Sequence, residues 1–208
     1  MRVLIADDHA VVRRGLKQIL ADVWPSVIVG EAEDAHEALR LVRQQNWDAV
    51  VLDISMPGKS GIEVLKELKQ ERPHLPVLIL TSHPVEQYAI RMMKAGAAGY
   101  MTKESAPEHL IEAVRKVTKG KKYISPQLGE ALASHLSATE KSPHEILSDR
   151  EHQVFRLIAG GKAVGEIASE LSLSDKTIST YRARILQKLG MKTNAELIRY
   201  AIINGLTE

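Results

Sequence analysis

The sequence contains no cysteine, and none of its apolar runs approaches the roughly 20 residues that a membrane-spanning helix requires. Without cysteine the chain can form neither disulfides nor a thiolate metal site. The first residues, Met1 and Arg2, lead directly into a short apolar run that ends in acids, which does not fit a secretory leader. We therefore expect a soluble, cytoplasmic protein with no membrane association.

The net charge of the 208-residue chain is only +2, but its distribution is informative. Residues 1–120 hold 16 Lys or Arg and 16 Asp or Glu, whereas residues 176–192 hold five cations and no acid. A local basic stretch of this kind is typical of nucleic-acid binders. The length favours two domains, one of about 120 and one of about 65 residues.

Over residues 1–118, short apolar runs alternate with longer segments of helical period, such as residues 35–45 and 61–71. The apolar runs start at Val3, Val27, Ala49, Val77 and Ala98. Five strands alternating with five helices predict an α/β fold, a doubly wound, five-stranded parallel sheet of the flavodoxin-like kind with strand order 2-1-3-4-5.

The pattern weakens over residues 119–143, which we interpret as a linker that contains a short helix over 126–136 and a flexible join at about 137–144. From residue 144 to residue 208 the apolar positions keep helical period, which predicts a small all-α domain. Four helices fit, over residues 148–159, 163–171, 174–189 and 193–204. The second and third, joined by a tight turn, have the lengths of a helix-turn-helix motif.

Carboxylates follow two strands that are neighbours in the predicted sheet. Asp7 and Asp8 follow the first strand, and Asp53 follows the third. Ligands of such sheets bind beyond the carboxyl ends of these strands, and clustered carboxylates suit Mg²⁺. Thr81 and Lys103 end the fourth and fifth strands at the same edge, where a hydroxyl and an ammonium can bind a phosphoryl group. Each residue alone is more often a helix cap or a surface charge, but their convergence predicts a phosphoryl-transfer site.

These residues, together with Met56-Pro57-Gly58, Thr81-Ser82 and the segment from Gly96 to Lys103, resemble the receiver domain of two-component response regulators. The resemblance covers residues 1–118. It implies that Asp53 accepts a phosphoryl group and that Lys103 and Thr81 contact that group. It also implies that Asp7, Asp8, Asp53 and the backbone carbonyl of Ser55 bind Mg²⁺, and that Thr81 and Tyr100 form a switch pair. Glu104 stands where many receivers have proline, which leaves open whether the peptide bond before it is cis.

The second half carries motifs of its own: Leu147 to Glu151, Ile167-Ala168, Lys176 to Ser179 and Lys188-Leu189. They resemble the LuxR-type DNA-binding domain, so the whole chain is similar to the NarL/FixJ class of response regulators. On a helical wheel, Ile178, Tyr181, Ile185 and Leu189 face inward and a short polar face points outward. The residues that we expect to contact DNA are Lys176, Thr177, Ser179, Thr180, Arg182, Ala183, Arg184, Lys188 and Lys192.

This resemblance implies a sensor histidine kinase as phosphodonor, double-stranded DNA as ligand, a homodimer formed through residues 193–204, and RNA polymerase as a further partner. It also implies a switch surface over residues 84–95, the fifth strand and the last receiver helix. The protein would take part in phosphotransfer to its own Asp53 without being a turnover enzyme.

Three other functions compete with this one. A Mg²⁺-dependent phosphohydrolase of the haloacid-dehalogenase kind would have a second Asp two residues after the nucleophile, where this chain has Ser55. A nucleotide-binding enzyme would have a glycine-rich loop after the first strand, where Asp7-Asp8-His9-Ala10 stands. A DNA-binding protein with an inactive receiver would not need the complete set of acidic, hydroxyl and lysine residues.

Overall fold

The computed structural model describes residues 1–56, 59–83, 85–137 and 143–206. The chain divides into two compact units, Met1–Ser137 and Ala138–Glu208. Three predicted features lie outside the described residues: Pro57 and Gly58 of the receiver motif, Pro84 at the predicted start of the switch surface, and residues 138–142 of the predicted join. Within the described ranges, no helix combines the length and the apolar character needed to cross a bilayer.

The first unit is built on a five-stranded parallel sheet, which confirms the predicted fold. The strands are β1 (Arg2–Ala6), β2 (Ile28–Ala32), β3 (Ala49–Asp53), β4 (Val77–Thr81) and β5 (Gly99–Thr102). Their order is β2-β1-β3-β4-β5. Every residue of β3 and β4 is buried, because these central strands are covered on both faces, and their sequences are accordingly almost continuously apolar.

Helices cover the two faces of the sheet in separate groups. They are α1 (Ala10–Val23), α2 (Ala35–Gln44), α3 (Gly61–Glu71), α4 (Val85–Lys94) and α5 (Ala106–Val117). One apolar cluster joins α1 and α5 to the sheet, and another joins α2, α3 and α4 to the opposite face. The predicted α3 range matches the structure because Ser60 and Glu63 form a capping box at its start.

The helix predicted within the linker is present as α6 (Pro126–Ser137), and it packs on the first unit. Leu128 is completely buried in the same apolar cluster as Met92 of α4 and Tyr100 of β5. At the other end of the helix, the Lys94 ammonium lies 2.8 Å from His135 Nε2. The chain segment up to residue 137 is therefore part of the first compact unit, although its sequence pattern predicts a linker.

The second unit is all-helical, as predicted. A short 3₁₀ turn (Pro143–Ile146) precedes α7 (Asp149–Ala159), α8 (Val164–Leu171), α9 (Asp175–Leu189) and α10 (Asn194–Ile203). The side chains of Ser148, Ser174 and Thr193 each accept a hydrogen bond from a backbone amide in the first turn of the following helix and so cap α7, α9 and α10. The helices pack around a core that includes Phe155 and Ile178.

Candidate functional site

The carboxylates predicted to converge do so at the carboxyl edge of the sheet. Asp53 is the last residue of β3, and Asp7 follows β1, whose Ala6 pairs with Leu52 of β3. Asp7 and Asp53 are 1% and 0% exposed. One ligand atom from each of Asp7, Asp8, His9 and Asp53 lies within 4.8 Å of every other, and we call this group the acidic cluster. Parallel β1 and β3 end side by side, which places these residues in one crevice.

Lys103 connects two members of the acidic cluster. It follows β5, and its Nζ lies 2.7 Å from Asp53 Oδ2 and 2.8 Å from Asp7 Oδ2. Burial alone lowers the pKa of Lys103, but the hydrogen bonds and charges of Asp53 and Asp7 outweigh burial and raise it above its ordinary value. The side chain is therefore an ammonium ion held between two buried carboxyl groups. The peptide bond between Lys103 and Glu104 is trans.

Burial dominates the environment of Asp53. It raises the pKa of the Asp53 carboxyl, and the hydrogen bonds from Lys103 and from the Ser55 amide, 3.0 Å from Oδ1, do not cancel this effect. A carboxylate in a poorly hydrated crevice with a cation beside it is a group whose charge is stabilised only by its immediate neighbours. Ser55 itself is exposed, and its backbone amide fixes the orientation of the Asp53 side chain.

Thr81 and Tyr100 share a hydrogen-bond partner, His83, that the sequence pattern does not mark. Thr81 Oγ1 accepts a hydrogen bond from the His83 amide at 3.2 Å, and the Tyr100 hydroxyl donates to the His83 carbonyl at 3.0 Å. Both side chains are fully buried. The His83 ring packs against Tyr88 of α4, with ring centroids 4.8 Å apart. His83 thus links the hydroxyl at the end of β4 to α4.

In the second unit, α8 and α9 form a helix-turn-helix. Ser172 has a left-handed backbone conformation (φ 54°, ψ 43°) in the turn, and Ser174 caps α9. Ile178, Ile185 and Leu186 of α9 are buried, whereas the predicted inward residues Tyr181 and Leu189 are half-buried. Six of the predicted DNA contacts lie on or just after α9, are exposed, and form no hydrogen bond to a buried side chain. They are Lys176, Ser179, Thr180, Ala183, Arg184 and Lys192.

The other three predicted DNA contacts are bound within the domain. Lys188 Nζ lies 2.6 Å from a carboxylate oxygen of Glu151, which is 3% exposed and belongs to the capping box of α7. Arg182 Nε donates to Asn194 Oδ1 at 2.6 Å. The Thr177 hydroxyl lies 2.8 Å from Ser174 Oγ at the cap of α9. Lys188 and Arg182 hold α9 against α7 and α10, whereas Thr177 is part of the cap of α9 itself.

The Glu151 carboxylate is the charged centre of this packing. Burial alone would raise its pKa, but the hydrogen bonds from Lys188 and Ser148 outweigh burial and lower it. Glu151 and Lys188 therefore join the start of α7 to the end of α9 as an ion pair with one buried partner. The sequence places these two residues 37 positions apart, so their pairing has no local signal.

The two units define a signalling protein with a phosphoryl-acceptor fold and a helix-turn-helix output domain, and comparisons with known proteins agree. The response regulator receiver domain matches residues 3–115, and the domain of bacterial regulatory proteins, luxR family, matches residues 145–201. The chain therefore belongs to the response regulators that combine a receiver domain with a LuxR-type domain, which confirms the predicted class.

Relatives and solved structures span the whole chain. Response regulator GacA of Pseudomonas aeruginosa is 38% identical over 210 residues, covering 100% of this chain and 98% of its own length. Response regulator UvrY of Escherichia coli is 36% identical, covering 99% of this chain and 95% of its own. Among solved structures, RcsB of Salmonella enterica serovar Typhimurium bound to promoter rprA in the presence of the phosphomimetic BeF₃⁻ is 31% identical with a TM-score of 0.65. The match covers 96% of this chain and 98% of the RcsB chain.

Proposed function

We propose that the protein is a transcription regulator whose DNA binding is controlled by transfer of a phosphoryl group to Asp53. The observation that carries this proposal is the buried Asp53 carboxylate, which lies beside Asp7 and within 2.7 Å of the Lys103 ammonium. A buried carboxylate with an adjacent cation is suited to attack on phosphorus and to stabilisation of the transferred group. Its position in a receiver fold supports a phosphohistidine of a sensor histidine kinase as the donor.

The donor bond that breaks in such a transfer is the phosphorus–nitrogen bond of phosphohistidine, and the bond that forms joins phosphorus to a carboxylate oxygen of Asp53. The departing imidazole takes up a proton, so charge and atoms balance. Lys103, which now neutralises the carboxylate, would then bind an oxygen of the phosphoryl group. No second Asp stands at the position of Ser55 to speed hydrolysis, which supports a stable phosphoprotein over a turnover enzyme.

The oxygen donors of the acidic cluster fit Mg²⁺. Asp7, Asp8 and Asp53 offer three carboxylates within 4.8 Å of one another, and Mg²⁺ prefers a few carboxylates together with waters and a phosphate. We assign these residues and the Ser55 carbonyl as the ligands. When bound, the cation would neutralise charge on the transferring group. Asp53 would supply the nucleophilic oxygen, and Lys103 would orient it.

We further infer that Thr81 and Tyr100 report phosphorylation through His83. Asp53 and Thr81 end the neighbouring strands β3 and β4. A phosphoryl group on Asp53 would therefore compete with the His83 amide for the Thr81 hydroxyl. Because the His83 carbonyl also holds the Tyr100 hydroxyl, movement of His83 would disturb Tyr100 and the start of α4. A local charge change would thereby alter the packing of α4 and of α6, which lies on it.

The test of this function compares phosphate incorporation with DNA affinity. Treated with a small-molecule phosphodonor and Mg²⁺, the protein should gain one phosphate that hydroxylamine releases, and Asp53→Asn protein should gain none. Thr81→Ala protein should keep the phosphate but lose the gain in DNA affinity, because it lacks the hydroxyl that would rearrange when Asp53 is phosphorylated. Phosphate on Asp53→Asn protein, or transfer that ignores EDTA, contradicts the site. An undiminished gain in Thr81→Ala protein eliminates Thr81 from the switch.

The exposed face of α9 supports major-groove DNA binding by a dimer on two half-sites. A solved RcsB–DNA complex, of a chain 31% identical to this one, and a structure of two RcsB dimers bound to two parallel DNAs support DNA binding and dimerisation. Exposed Ile202 and Ile203 on α10 fit the predicted self-association surface, and Ile202→Lys protein should sediment as a monomer under conditions in which the phosphorylated wild type dimerises. Contact with RNA polymerase and a cytoplasmic location belong to the same proposal.

For the DNA surface, we expect Arg184→Ala to weaken binding about equally on all sequences. The slope of log affinity against log salt should fall by about 0.9 for one lost phosphate contact. Ser179→Ala should instead alter sequence preference, since its hydroxyl lies on the face that we assign to base edges. Lys17→Ala, which removes the same charge from α1 of the receiver, outside the predicted switch surface, should leave both measurements unchanged. A flat salt response in an electrophoretic or fluorescence binding assay would remove the electrostatic basis of this surface.

A further inference from the structure

His9 is the member of the acidic cluster to which the proposed phosphoryl transfer assigns no role. It follows Asp7 and Asp8 directly and is the N-cap residue of α1, although its side chain makes no capping hydrogen bond. Its Nδ1 lies 2.8 Å from Asp8 Oδ1 and 3.2 Å from Asp7 Oδ1, while the ring as a whole is 63% exposed. The imidazole is thus fixed on the acids at one end and open to solvent at the other.

The spacing of these atoms suits coordination of one cation. In an octahedral site with metal–ligand distances of about 2.1 Å, neighbouring ligand atoms are about 3 Å apart. The two Nδ1–oxygen distances in the structure lie on either side of this value. The two Nδ1–oxygen contacts therefore match neighbouring positions of one coordination sphere, and the Asp7 and Asp8 ligand atoms lie within 4.8 Å of each other.

The imidazole ring has a tautomer that suits this arrangement. As a donor to the carboxylates, neutral imidazole carries its proton on Nδ1, but the alternative tautomer carries it on Nε2. Because the ring is largely exposed, Nε2–H can be satisfied by water. In that tautomer the Nδ1 lone pair is available to a cation.

We propose that His9 is a direct ligand in the acidic cluster and makes this crevice selective for first-row transition cations over Mg²⁺. The proposal rests on the assignment of the crevice as a cation site. Carboxylates alone suit Mg²⁺, whereas imidazole suits ions such as Ni²⁺ and Zn²⁺. A transition cation would occupy the same site beside Asp53 that we assign to Mg²⁺. Which ion fills the crevice would then depend on which divalent ions are available.

The experiment measures Ni²⁺ and Mg²⁺ affinity of the full-length protein by isothermal titration calorimetry. His9→Ala should weaken Ni²⁺ binding by about tenfold or more while changing Mg²⁺ affinity by less than about twofold. His9→Gln, which can still donate to the carboxylates, should behave like His9→Ala if coordination is the cause. His36→Ala, which removes an exposed histidine of α2, should leave both affinities unchanged. As a spectroscopic readout, Mn²⁺ bound to the wild type should show nitrogen coupling in pulsed electron paramagnetic resonance, and His9→Ala protein should lack it.

Two outcomes overturn the proposal. One is a ratio of Ni²⁺ to Mg²⁺ affinity that is the same in wild-type and His9→Ala proteins. The other is nitrogen coupling that persists without His9. Phosphate incorporation into Asp53 with Mg²⁺, measured on the same preparations, separates this result from failure of the proposed function. If wild-type protein takes phosphate but the ratio does not depend on His9, only the histidine ligand is wrong, whereas absence of both Mg²⁺ binding and phosphate removes the cation site itself.

Discussion

Lys103→Met should destabilise the metal-free receiver by about 3–5 kcal/mol at pH 8. Lys103 is the cation between Asp7 and Asp53, and its removal leaves two buried carboxylates facing each other without compensation. The loss can be measured by urea unfolding followed through tryptophan fluorescence. Both tryptophans of the chain, Trp24 and Trp47, lie in the receiver, so the signal reports this unit alone.

The pH dependence of the loss has a defined sign. Burial raises the pKa of the Asp53 carboxyl in the folded protein. The contribution of this carboxyl to the free energy of unfolding is therefore present at low pH and is lost as the pH rises through its folded-state pKa. Protonation of Asp53 removes the negative charge that Lys103 compensates. The difference in unfolding free energy between Lys103→Met protein and the wild type should therefore become smaller as the pH falls. Added Mg²⁺ should also restore part of the stability by supplying positive charge.

Lys59→Met is the matched control. Lys59 also forms an ion pair, with Glu67, but its side chain is about half exposed and solvent screens the interaction. Its loss should cost less than about 1 kcal/mol. Equal stability of Lys103→Met and wild type at pH 8 would mean that the two carboxyl groups do not need this cation.

Leu128→Ala should lower the stability of the receiver by about 2–5 kcal/mol, the usual cost of emptying a buried leucine site. This residue of α6 is completely buried against the cluster that contains Met92 and Tyr100. The same tryptophan-detected unfolding in urea measures the change. If α6 were only a connecting segment outside the receiver, Leu128→Ala would leave the urea concentration at the midpoint of receiver unfolding unchanged.

Ile124→Ala provides the comparison for Leu128→Ala. Ile124 immediately precedes the cap of α6 and is 46% exposed, so its truncation removes little buried surface. We expect a change within about 1 kcal/mol. Similar transitions for the two variants would show that α6 does not stabilise the receiver, and would remove α6 from the proposed path between Asp53 and the output domain.

Much of the receiver could be predicted from the sequence because its signals are local. The central strands are continuous apolar runs, and the order of a doubly wound sheet brings Asp7 and Asp53 to one edge. What the pattern missed depends on contacts between distant residues. His83 has no distinguishing feature in the sequence, and its importance follows from its backbone bonds to Thr81 and Tyr100.

The basic residues of α9 show the same limit. The wheel correctly placed Ser179, Thr180 and Arg184 on the exposed face. It could not separate them from Lys188, whose partner Glu151 lies on another helix. Charge periodicity shows where a cation stands on its own helix, but tertiary packing decides whether that cation is available to a ligand. The helix within the linker was predicted from the Ser125-Pro126 start signal, whereas its packing on α4 depends on a distant face of the receiver.

The approach of Tyr123 to Gly99 has a consequence for solubility. β5 is the last strand of the sheet, and an uncovered last strand offers unpaired backbone groups to other chains. Here the Tyr123 amide donates to the Ala98 carbonyl at 2.8 Å, and residue 123 forms a parallel bridge with Gly99. A Cβ at residue 99 would lie 2.8 Å from the Tyr123 carbonyl oxygen, so a side chain there would push this cover away. The absence of a side chain at residue 99 thus protects the molecule against edge-to-edge aggregation, at the point where the chain leaves the sheet for α6.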